Sequence, residues 1–488
     1  MDRAVSIETV AAAIPASLVV DVVGSSAGVV DLTHDSREAG PGVGFACVVG
    51  ERSDGHDFAA AAVDAGAPML IVSRRLPFDV PQIVVTDVRR VMGHAAAAVH
   101  GFPSRSLESV GITGTNGKTT TTQMLGTILA ASGRSQRTLG TLSGARTTPE
   151  ATDLQRHLAE FVRDGVDSVV MEVSSHAMVY HRVVGAEFDV VVFTNLGRDH
   201  LDLHESMESY FRAKASLFDP SFAAAGASNV DDLHGRLLVD AASIEVTPYG
   251  LADATDIEVG VAHHAFTWRG CRVSVPIGGG FNVSNSIAAL TAASLLGLDP
   301  AVAAAGLGRL PPVPGRFETV SDPQRHRVTV VVDYAHTPDG LDEVLRSARS
   351  LAPSGRVIAV FGCAGDRDVE KRAPMGAVGG DRADIAIVTS DNPRSEDPQA
   401  IVDQVVAGVA ASDRSKVHAE VDRRAAIARA LRLAESHDIV VIAGKGHETT
   451  QTIGEEKRPF DDRVVARELL DELASIDVTG IDVTGDAS

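Results

Sequence analysis

The sequence predicts an α/β protein of three domains, the two larger ones built on mainly parallel sheets. Three observations predict it. The chain has 488 residues, enough for about three domains at roughly 100–200 residues each. From residue 107 onward, short β-branched runs alternate with helical stretches, the pattern of strand–crossover–strand units. Breaks rich in Gly, Pro and Ser at 101–106 and 311–315 divide the chain into 1–106, 107–317 and 318–475, with a tail at 476–488.

The elements follow in order. Residues 10–20 are small and apolar, but Asp2 and Glu8 offset Arg3, and Pro15, Asp21 and Asp31 interrupt the stretch. It reads as a first helix and strand, not a targeting segment. A helix over 58–65 feeds a strand over 68–73, and 82–86 is a further strand. The strand 107–113 ends in a glycine loop that opens a helix over 118–132. Residues 153–164 form an amphipathic helix, while 168–173 and 188–194 are near-continuous apolar runs, as buried parallel strands are. Beyond 315, strands at 328–334, 357–361, 385–389 and 439–443 are separated by helices such as 341–351 and 401–411. The tail repeats Ile476-Asp-Val-Thr-Gly as Ile481-Asp-Val-Thr-Gly and reads as a disordered end.

Composition excludes several classes. With 44 Lys+Arg against 65 Asp+Glu and a formal charge of -21, the chain is a poor partner for nucleic acid or an anionic membrane. No uninterrupted apolar run is long enough to span a bilayer. Three widely spaced cysteines give neither a disulfide framework nor a CxxC zinc pattern. A cytoplasmic, monomeric protein acting on small molecules is expected. Anionic substrates would need the charge reversed locally.

Gly111-Ile-Thr-Gly-Thr-Asn-Gly-Lys-Thr119 follows a strand and opens a helix, the context a phosphate-binding loop needs. Gly114 and Gly117 let backbone N–H groups turn in around phosphate oxygens, and the helix N-terminus adds partial positive charge. Lys118 would reach the β- and γ-phosphates and Thr119 would hold Mg²⁺. Ile112 stands where the strict GxxxxGK[ST] spacing has its first Gly, so the loop is the shorter form Gly114-Thr115-Asn116-Gly117-Lys118-Thr119, followed by Thr120. It reads as an ATP site.

At these residues the chain resembles the Mur ligases, ATP-dependent amide-forming enzymes of peptidoglycan synthesis, and most closely their third-residue-adding branch. The resemblance spans nearly the whole chain. It implies an N-terminal UDP-binding α/β domain, a central P-loop ATPase domain and a C-terminal Rossmann-like domain for the amino acid. Glu172, in Met171-Glu-Val-Ser-Ser-His176, and His200, in Gly197-Arg-Asp-His-Leu-Asp-Leu-His204, each follow a buried strand and would converge near the loop as Mg²⁺ ligands. An ion pair of Glu172 with Lys118 is compatible with that role. His200 and His204 lie four residues apart, but no third soft ligand supports zinc, and His204 reads as a packing or capping residue.

Lys214, on a helical stretch 210–218 whose apolar face carries Phe211, Ala215 and Phe218, would by composition be a solvated charge. The resemblance places it at the family's carbamylated lysine, where CO₂ added to the amine makes an anionic ligand for a second Mg²⁺. Ser36, Glu51, Arg52 and Ser53 match contacts to UDP, and Thr147, Thr148, Ser174 and Arg182 match positions that hold the muramoyl-dipeptide. Arg146 stands where many members have Asn and Tyr180 where Gln is frequent, so neither is carried over. Asn285, Arg316 and Asp333 would face ATP from the other side of a cleft, Asn282 with them. For Asn285 a helix N-cap is the alternative.

In the last third, Arg367, Asp391-Asn392-Pro393-Arg394, Gly444 and Glu448 each follow a strand and should share a crevice. Two guanidiniums and two carboxylates suit a ligand bearing both carboxylate and ammonium groups. The DNPR tetrad is the family's mark for meso-diaminopimelate, whose second carboxylate would pair with Arg394. L-Lysine would leave that guanidinium alone, and the competing structural reading pairs Arg394 with Glu396 or Asp397. The resemblance thus implies ATP-dependent addition of meso-diaminopimelate to UDP-MurNAc-L-Ala-D-Glu through an acyl phosphate. A lysine-adding or other amide ligase of the superfamily, and a non-catalytic paralogue that binds nucleotides or UDP-sugars, are the alternatives.

Overall fold

The computed structural model describes residues 4–25, 28–51 and 53–479. Arg52 and residues 480–488 of the expected tail lie outside the described residues. Residues 476–479 are the end of the Asp462–Thr479 helix, so the expected tail begins inside a helix.

The first body is a five-stranded sheet in the order Val19–Val23, Gln82–Val85, Leu70–Val72, Val43–Ala46, Asp31–Thr33. Only the first pair is antiparallel. Asp87 starts the Val88–Val99 helix by accepting from the N–H groups of Arg89 and Arg90, as an N-cap does. Val88, Val91, Met92, Ala95, Ala96 and Val99 then fall on one face at helical spacing and pack on Ile7, Val10 and Ile71. On the other face Gly93 meets the second body. A Cβ there would lie 2.0 Å from the Val184 carbonyl oxygen, so no larger residue fits. Asp31 with Arg156 (2.8 Å) and His34 with Thr152 (2.9 Å) complete that junction.

The second body is a six-stranded, all-parallel sheet: Glu245–Tyr249, Ala223–Asn229, Phe188–Phe193, Glu108–Thr113, Ser168–Glu172, Gln136–Leu139. The strand that comes first in the chain is thus interior, between the fourth and the third. Connections leave it in opposite directions, which opens a crevice at its C-terminal end. Of its neighbours, Ser168–Glu172 is buried throughout and Phe188–Phe193 at every residue but Asp189, which is why they read as near-continuous apolar runs. A three-stranded antiparallel sheet, Ala254–Val259, His264–Trp268 and Cys271–Val275, packs Phe266, Trp268, Val273 and Val275 into the same core. Strand–helix alternation across 107–317 did not anticipate it.

The third body orders its strands Glu318–Thr319, Thr329–Asp333, Ile439–Ala443, Val357–Phe361, Ile385–Val388, Val417–Ala419, parallel but for the first pair. Helices cover both faces, giving two separate cores. The chain passes between bodies in a few residues: Val313 belongs to the second core and Phe317 to the third. The α/β fold with mainly parallel sheets is therefore as the sequence predicts.

Candidate active site

The phosphate loop leaves the Glu108–Thr113 strand at the crevice. Gly114 has φ +147 and a Cβ there would stand 1.9 Å from Thr194 Oγ1; Gly117 has φ +85 and its Cβ would stand 2.4 Å from Asn285 Oδ1. Only glycine satisfies both demands at once. Gly117 then starts the Lys118–Ala131 helix, so the first N–H groups of that helix point out of the loop. The loop is pinned from the neighbouring strand: Asn195 accepts from Thr115 N (2.9 Å) and Asn116 N (2.9 Å), and Thr194 Oγ1 donates to Asn116 O at 2.6 Å. Sequence reasoning assigned Asn195 no role. Its place directly after a buried strand was the available signal.

Lys118 Nζ donates to the carbonyls of Gly114 (2.9 Å) and Thr115 (2.8 Å), not to Glu172. Burial pushes its pKa down, with the Glu172 carboxylate opposing. Thr119 Oγ1 donates to Glu172 Oε2 at 3.0 Å and accepts from Arg316 at 3.0 Å. Glu172 is buried and also accepts from Thr141 N at 2.8 Å. His200, in the left-handed region at φ 54, lies 3.3 Å from Asp199 and edge-on to His176. Burial pushes it down to about 3, with the Asp199 carboxylate opposing, which favours the neutral imidazole. His204 is buried with Nε2 2.9 Å from Ser175 Oγ, a packing role. Among the described residues no group of three or more His, Cys, Asp or Glu forms a metal cage.

Lys214 corrects the expectation of a solvated charge. The helix is Met207–Ala215, and its buried residues are Tyr210 and Lys214, whereas Phe211 and Ala215 are only half-buried. Lys214 is 1% exposed, donates to Gly114 O at 2.8 Å and lies over the Tyr210 ring. Tyr210 in turn meets Thr115 Oγ1 at 3.1 Å. Enclosure, with Lys118 nearby, pushes the Lys214 amine well below its ordinary range.

Two clefts meet at this centre. One, about 630 Å³, is lined by the loop residues 115–120 with Glu172, His200, Asn285, Arg316 and Asp333. Asn285 is no N-cap: it lies in the second turn of the Phe281–Leu295 helix and donates to Asn282 Oδ1. Asn282 is bonded to Gly278 O and lies behind the lining. Arg316 stacks over Tyr334 at 4.5 Å, and Asp333 holds the chain entry by accepting from Phe317 N and Ala335 N. The other cleft, about 970 Å³, is lined by Thr147, Thr148, Ser174, Arg182, Arg367, Asp391, Asn392, Arg394, Gly444 and Glu448. Asp199, His200, Tyr334 and His336 line both.

The loops that follow the Ile385–Val388 and Ile439–Ala443 strands are tied to one another. Asn392 donates to Glu448 Oε2 at 2.8 Å, Lys445 reaches the same oxygen at 3.0 Å, and Thr452 N donates to Asn392 Oδ1. Arg394 (φ 52) donates to Gly365 O at 2.5 Å. Glu396 pairs instead with Arg372, and Asp397 caps the next helix, so neither competing partner is on Arg394. Pro393 holds the close approach to Gly365, where a Cβ would meet the Pro393 carbonyl at 1.9 Å.

Ser36, Glu51 and Ser53 stand on loops of the first body and line neither cleft; Glu51 is linked to the second body through the Tyr180 hydroxyl at 2.8 Å. Thr148 Oγ1 donates to Glu172 O at 2.9 Å, which ties the 147–148 loop to the end of the Ser168–Glu172 strand. Burial pushes the thiols of Cys47 and Cys363 up to about 12, so neither offers a thiolate nucleophile.

Comparison with known proteins agrees along the chain. Residues 29–100 match the profile "Mur ligase family, catalytic domain", 112–293 "Mur ligase middle domain", and 315–446 "Mur ligase, glutamate ligase domain". A UDP-N-acetylmuramoyl-L-alanyl-D-glutamate--2,6-diaminopimelate ligase of Streptomyces coelicolor is 44% identical over 91% of this chain and 93% of its own. One of the same name from Geobacillus kaustophilus is 42% identical over 92% and 96%. A solved structure under that name superposes with a TM-score of 0.67 at 32% identity, covering 96% of this chain and 99% of its own. A MurF ligase from Thermotoga maritima in complex with ADP shares the fold, with a TM-score of 0.63 at 20% identity over 92% and 98%. The chain belongs to the Mur ligase family.

Proposed function

We propose that the chain uses ATP to join meso-diaminopimelate to UDP-MurNAc-L-Ala-D-Glu, as the names of its relatives say of them. The observation that carries the reading is the meeting of the two clefts at Asp199, His200, Tyr334 and His336. The nucleotide loop and the amino-acid loops thereby face one reaction point. A substrate carboxylate attacks the γ-phosphorus of ATP, ADP leaves, and an acyl phosphate results. The incoming amine, having given up a proton, attacks the acyl carbon and phosphate leaves. No protein nucleophile is needed, which fits the raised thiols.

The hydroxyl of Thr119 and the carboxylate of Glu172, 3.0 Å apart, are hard oxygen donors of the kind Mg²⁺ takes together with phosphate oxygens, with no all-protein cage required. His200 lines the same cleft. Mg²⁺ bound there would neutralise phosphate charge. For the carbamate on Lys214, the buried amine supports the assignment: a neutral amine adds CO₂ and releases one proton, and the product is an anionic ligand. Lys118 and Arg316 would leave their present partners for the phosphates. Ser36, Glu51, Arg52 and Ser53 would hold the UDP end, and Thr147, Thr148, Ser174 and Arg182 the dipeptide. Arg367, Asp391, Asn392, Arg394, Gly444 and Glu448 would hold diaminopimelate. The units 1–106, 107–317 and 318–475 would close on one another and exclude water from the acyl phosphate.

The test is ADP release with ATP, Mg²⁺ and UDP-MurNAc-L-Ala-D-Glu, adding meso-diaminopimelate, L-lysine or nothing. Release that depends on diaminopimelate is expected. Turnover with lysine alone would discard the role of Arg394, and silence with every amino acid would discard the ligase reading.

A further inference from the structure

Arg394 sits at φ 52, in the left-handed region that a residue with a side chain seldom occupies. Such a conformation persists only where the surroundings impose it. Relaxation to φ of about −60° would turn its Cβ by roughly 110° about the N–Cα bond. The guanidinium would then swing away from the larger cleft, which it now lines.

A hairpin imposes the conformation. Its strands, Thr450–Ile453 and Glu456–Pro459, pair with each other and, among the described residues, with no other strand. A two-stranded ribbon of this kind is marginal by itself. Four hydrogen bonds fasten it to the segment 391–394. Thr452 O accepts from Arg394 N at 3.1 Å and Gly454 N donates to Arg394 O at 2.6 Å, so one hairpin takes both backbone polar groups of the strained residue. Thr452 N donates to Asn392 Oδ1 at 2.9 Å, and Gln451 Nε2 donates to Asp391 O at 2.7 Å. The buried Lys445 secures the start of the hairpin by donating to Thr450 O at 2.7 Å. Gly454, at φ 60, begins the two-residue turn between Ile453 and Glu456, where such turns take glycine. Gln451 is buried. Thr450 and Thr452 line the larger cleft, whereas Gln451 and Gly454 line neither.

We propose that this hairpin sets the preference for the incoming amino acid: Gln451 and Gly454 are positioning residues that fix the Arg394 backbone, and through it the guanidinium that meets the ligand's distal carboxylate. The proposal rests on the reading of Arg394 given above. A guanidinium recognises a carboxylate by direction as well as by charge. An arginine whose backbone is free to relax therefore keeps its charge and loses its discrimination. An amino acid without the distal carboxylate gains nothing from that alignment, and ATP occupies the other cleft.

The experiment is steady-state kinetics of the full chain with meso-diaminopimelate and with L-lysine. A Cβ on Gly454 would meet nothing within 4 Å, so Gly454→Ala adds only the backbone cost of a left-handed alanine at the turn. It should raise the KM for diaminopimelate about tenfold to hundredfold, as a small misplacement does, and leave the KM for ATP unchanged. The preference for diaminopimelate over lysine should fall by the same factor. Gln451→Leu removes the donor to Asp391 O while keeping an apolar stem, and should act in the same direction. In an Arg394→Ala background neither change should raise the KM further, because changes that act through one group do not add. A purely structural role would lower Tm and spare both the KM and the preference. That result, or losses that add to those of Arg394→Ala, would overturn the proposal while the parent still favoured diaminopimelate. A parent with no such preference would refute the reading of Arg394, and the proposal with it.

Discussion

Asp462→Ala should loosen the loops that face the amino acid, without touching the crevice itself. Asp462 and Arg423 are both 0% exposed and are joined by contacts of 2.8 and 2.7 Å. The same guanidinium donates to Ser390 O at 3.3 Å and Ala443 O at 2.9 Å. Those carbonyls immediately precede Asp391 and Gly444, so one enclosed cation ties together the starts of two loops from neighbouring regions of the sheet. Removing the carboxylate strands the cation away from water. Breaking a buried pair from one side costs about 3–5 kcal/mol, which at about 1.4 kcal/mol per decade is a hundredfold to a few thousandfold in a local equilibrium. Hydrogen-exchange mass spectrometry over 385–394 and 439–446 should show protection falling by that factor, and the KM for meso-diaminopimelate should rise more than that for ATP. The double change Arg423→Met with Asp462→Leu separates charge from tether. It removes the stranded cation, so stability recovers, but leaves two carbonyls without their donor at about 1–3 kcal/mol each. It should therefore fold better than the single variant and keep the raised KM. Protection within about tenfold of the parent and an unaltered KM in Asp462→Ala would refute the reasoning.

Three further predictions can be checked with the same assays. Lys214→Ala should abolish turnover with no rescue by bicarbonate, and near-parent rates would remove the carbamate. Arg394→Ala should raise the KM for diaminopimelate about tenfold to hundredfold and narrow the preference over lysine; an unchanged preference would move recognition of the second carboxylate elsewhere. Glu343 meets solvent at the wall of the nucleotide cleft but is pushed up to about 7 by partial enclosure and by Asp333, Asp342 and Asp339. Its folded value lies above its unfolded one, so the folded chain keeps a proton that the unfolded chain loses, and stability falls as pH rises between the two. Glu343→Gln should then raise Tm more at pH 8 than at pH 5; equal shifts at both would sink the assignment.

The parts of the fold that were legible in the sequence are those whose burial is uniform. Val357–Phe361 and Ile439–Ala443 are enclosed on both faces, and a run of β-branched residues between polar ends marks such strands to the residue. The helix expected over 401–411 is Pro398–Ala407. Asp397 and Pro398 are a start signal, and Gly408 stops it, so the information was present but outweighed by apolar periodicity. The antiparallel strands of 254–275 were not legible. Ala254–Val259 is almost wholly exposed, His264–Trp268 almost wholly buried, and only Cys271–Val275 alternates, so the three share no one pattern, and the partners they pack on, such as Ile128 and Ile287, come from distant helices. Lys214 fails for a related reason: which face of Met207–Ala215 is covered depends on where the phosphate loop lies, and no local periodicity encodes that. The cluster of Arg89, Arg146 and Arg182 around Glu150 is drawn from three segments and two bodies, so only the assembled chain displays it.

A chain of formal charge -21 repels anions at range, and its affinity for them must be built from groups that act at contact. The clefts meet this with charges that hold their state near neutral pH. Arg146, Arg182, Arg316, Arg367 and Arg394 line them, and guanidiniums do not titrate in that range. The imidazoles that stand beside them go the other way. Burial and neighbouring cations push His447 down to about 4 and His200 down to about 3, and lower His176 and His336. The positive charge offered to phosphate and carboxylate therefore comes from the guanidiniums, while burial biases these imidazoles toward their neutral forms. They also leave nitrogen lone pairs free beside the point where an amine must lose a proton before it can attack. The same cations would depress the pKa of that incoming amine, while Asp391 and Glu448 would favour its charged form. The balance between those two sets, not a single base, then decides how much of the amine is ready to react.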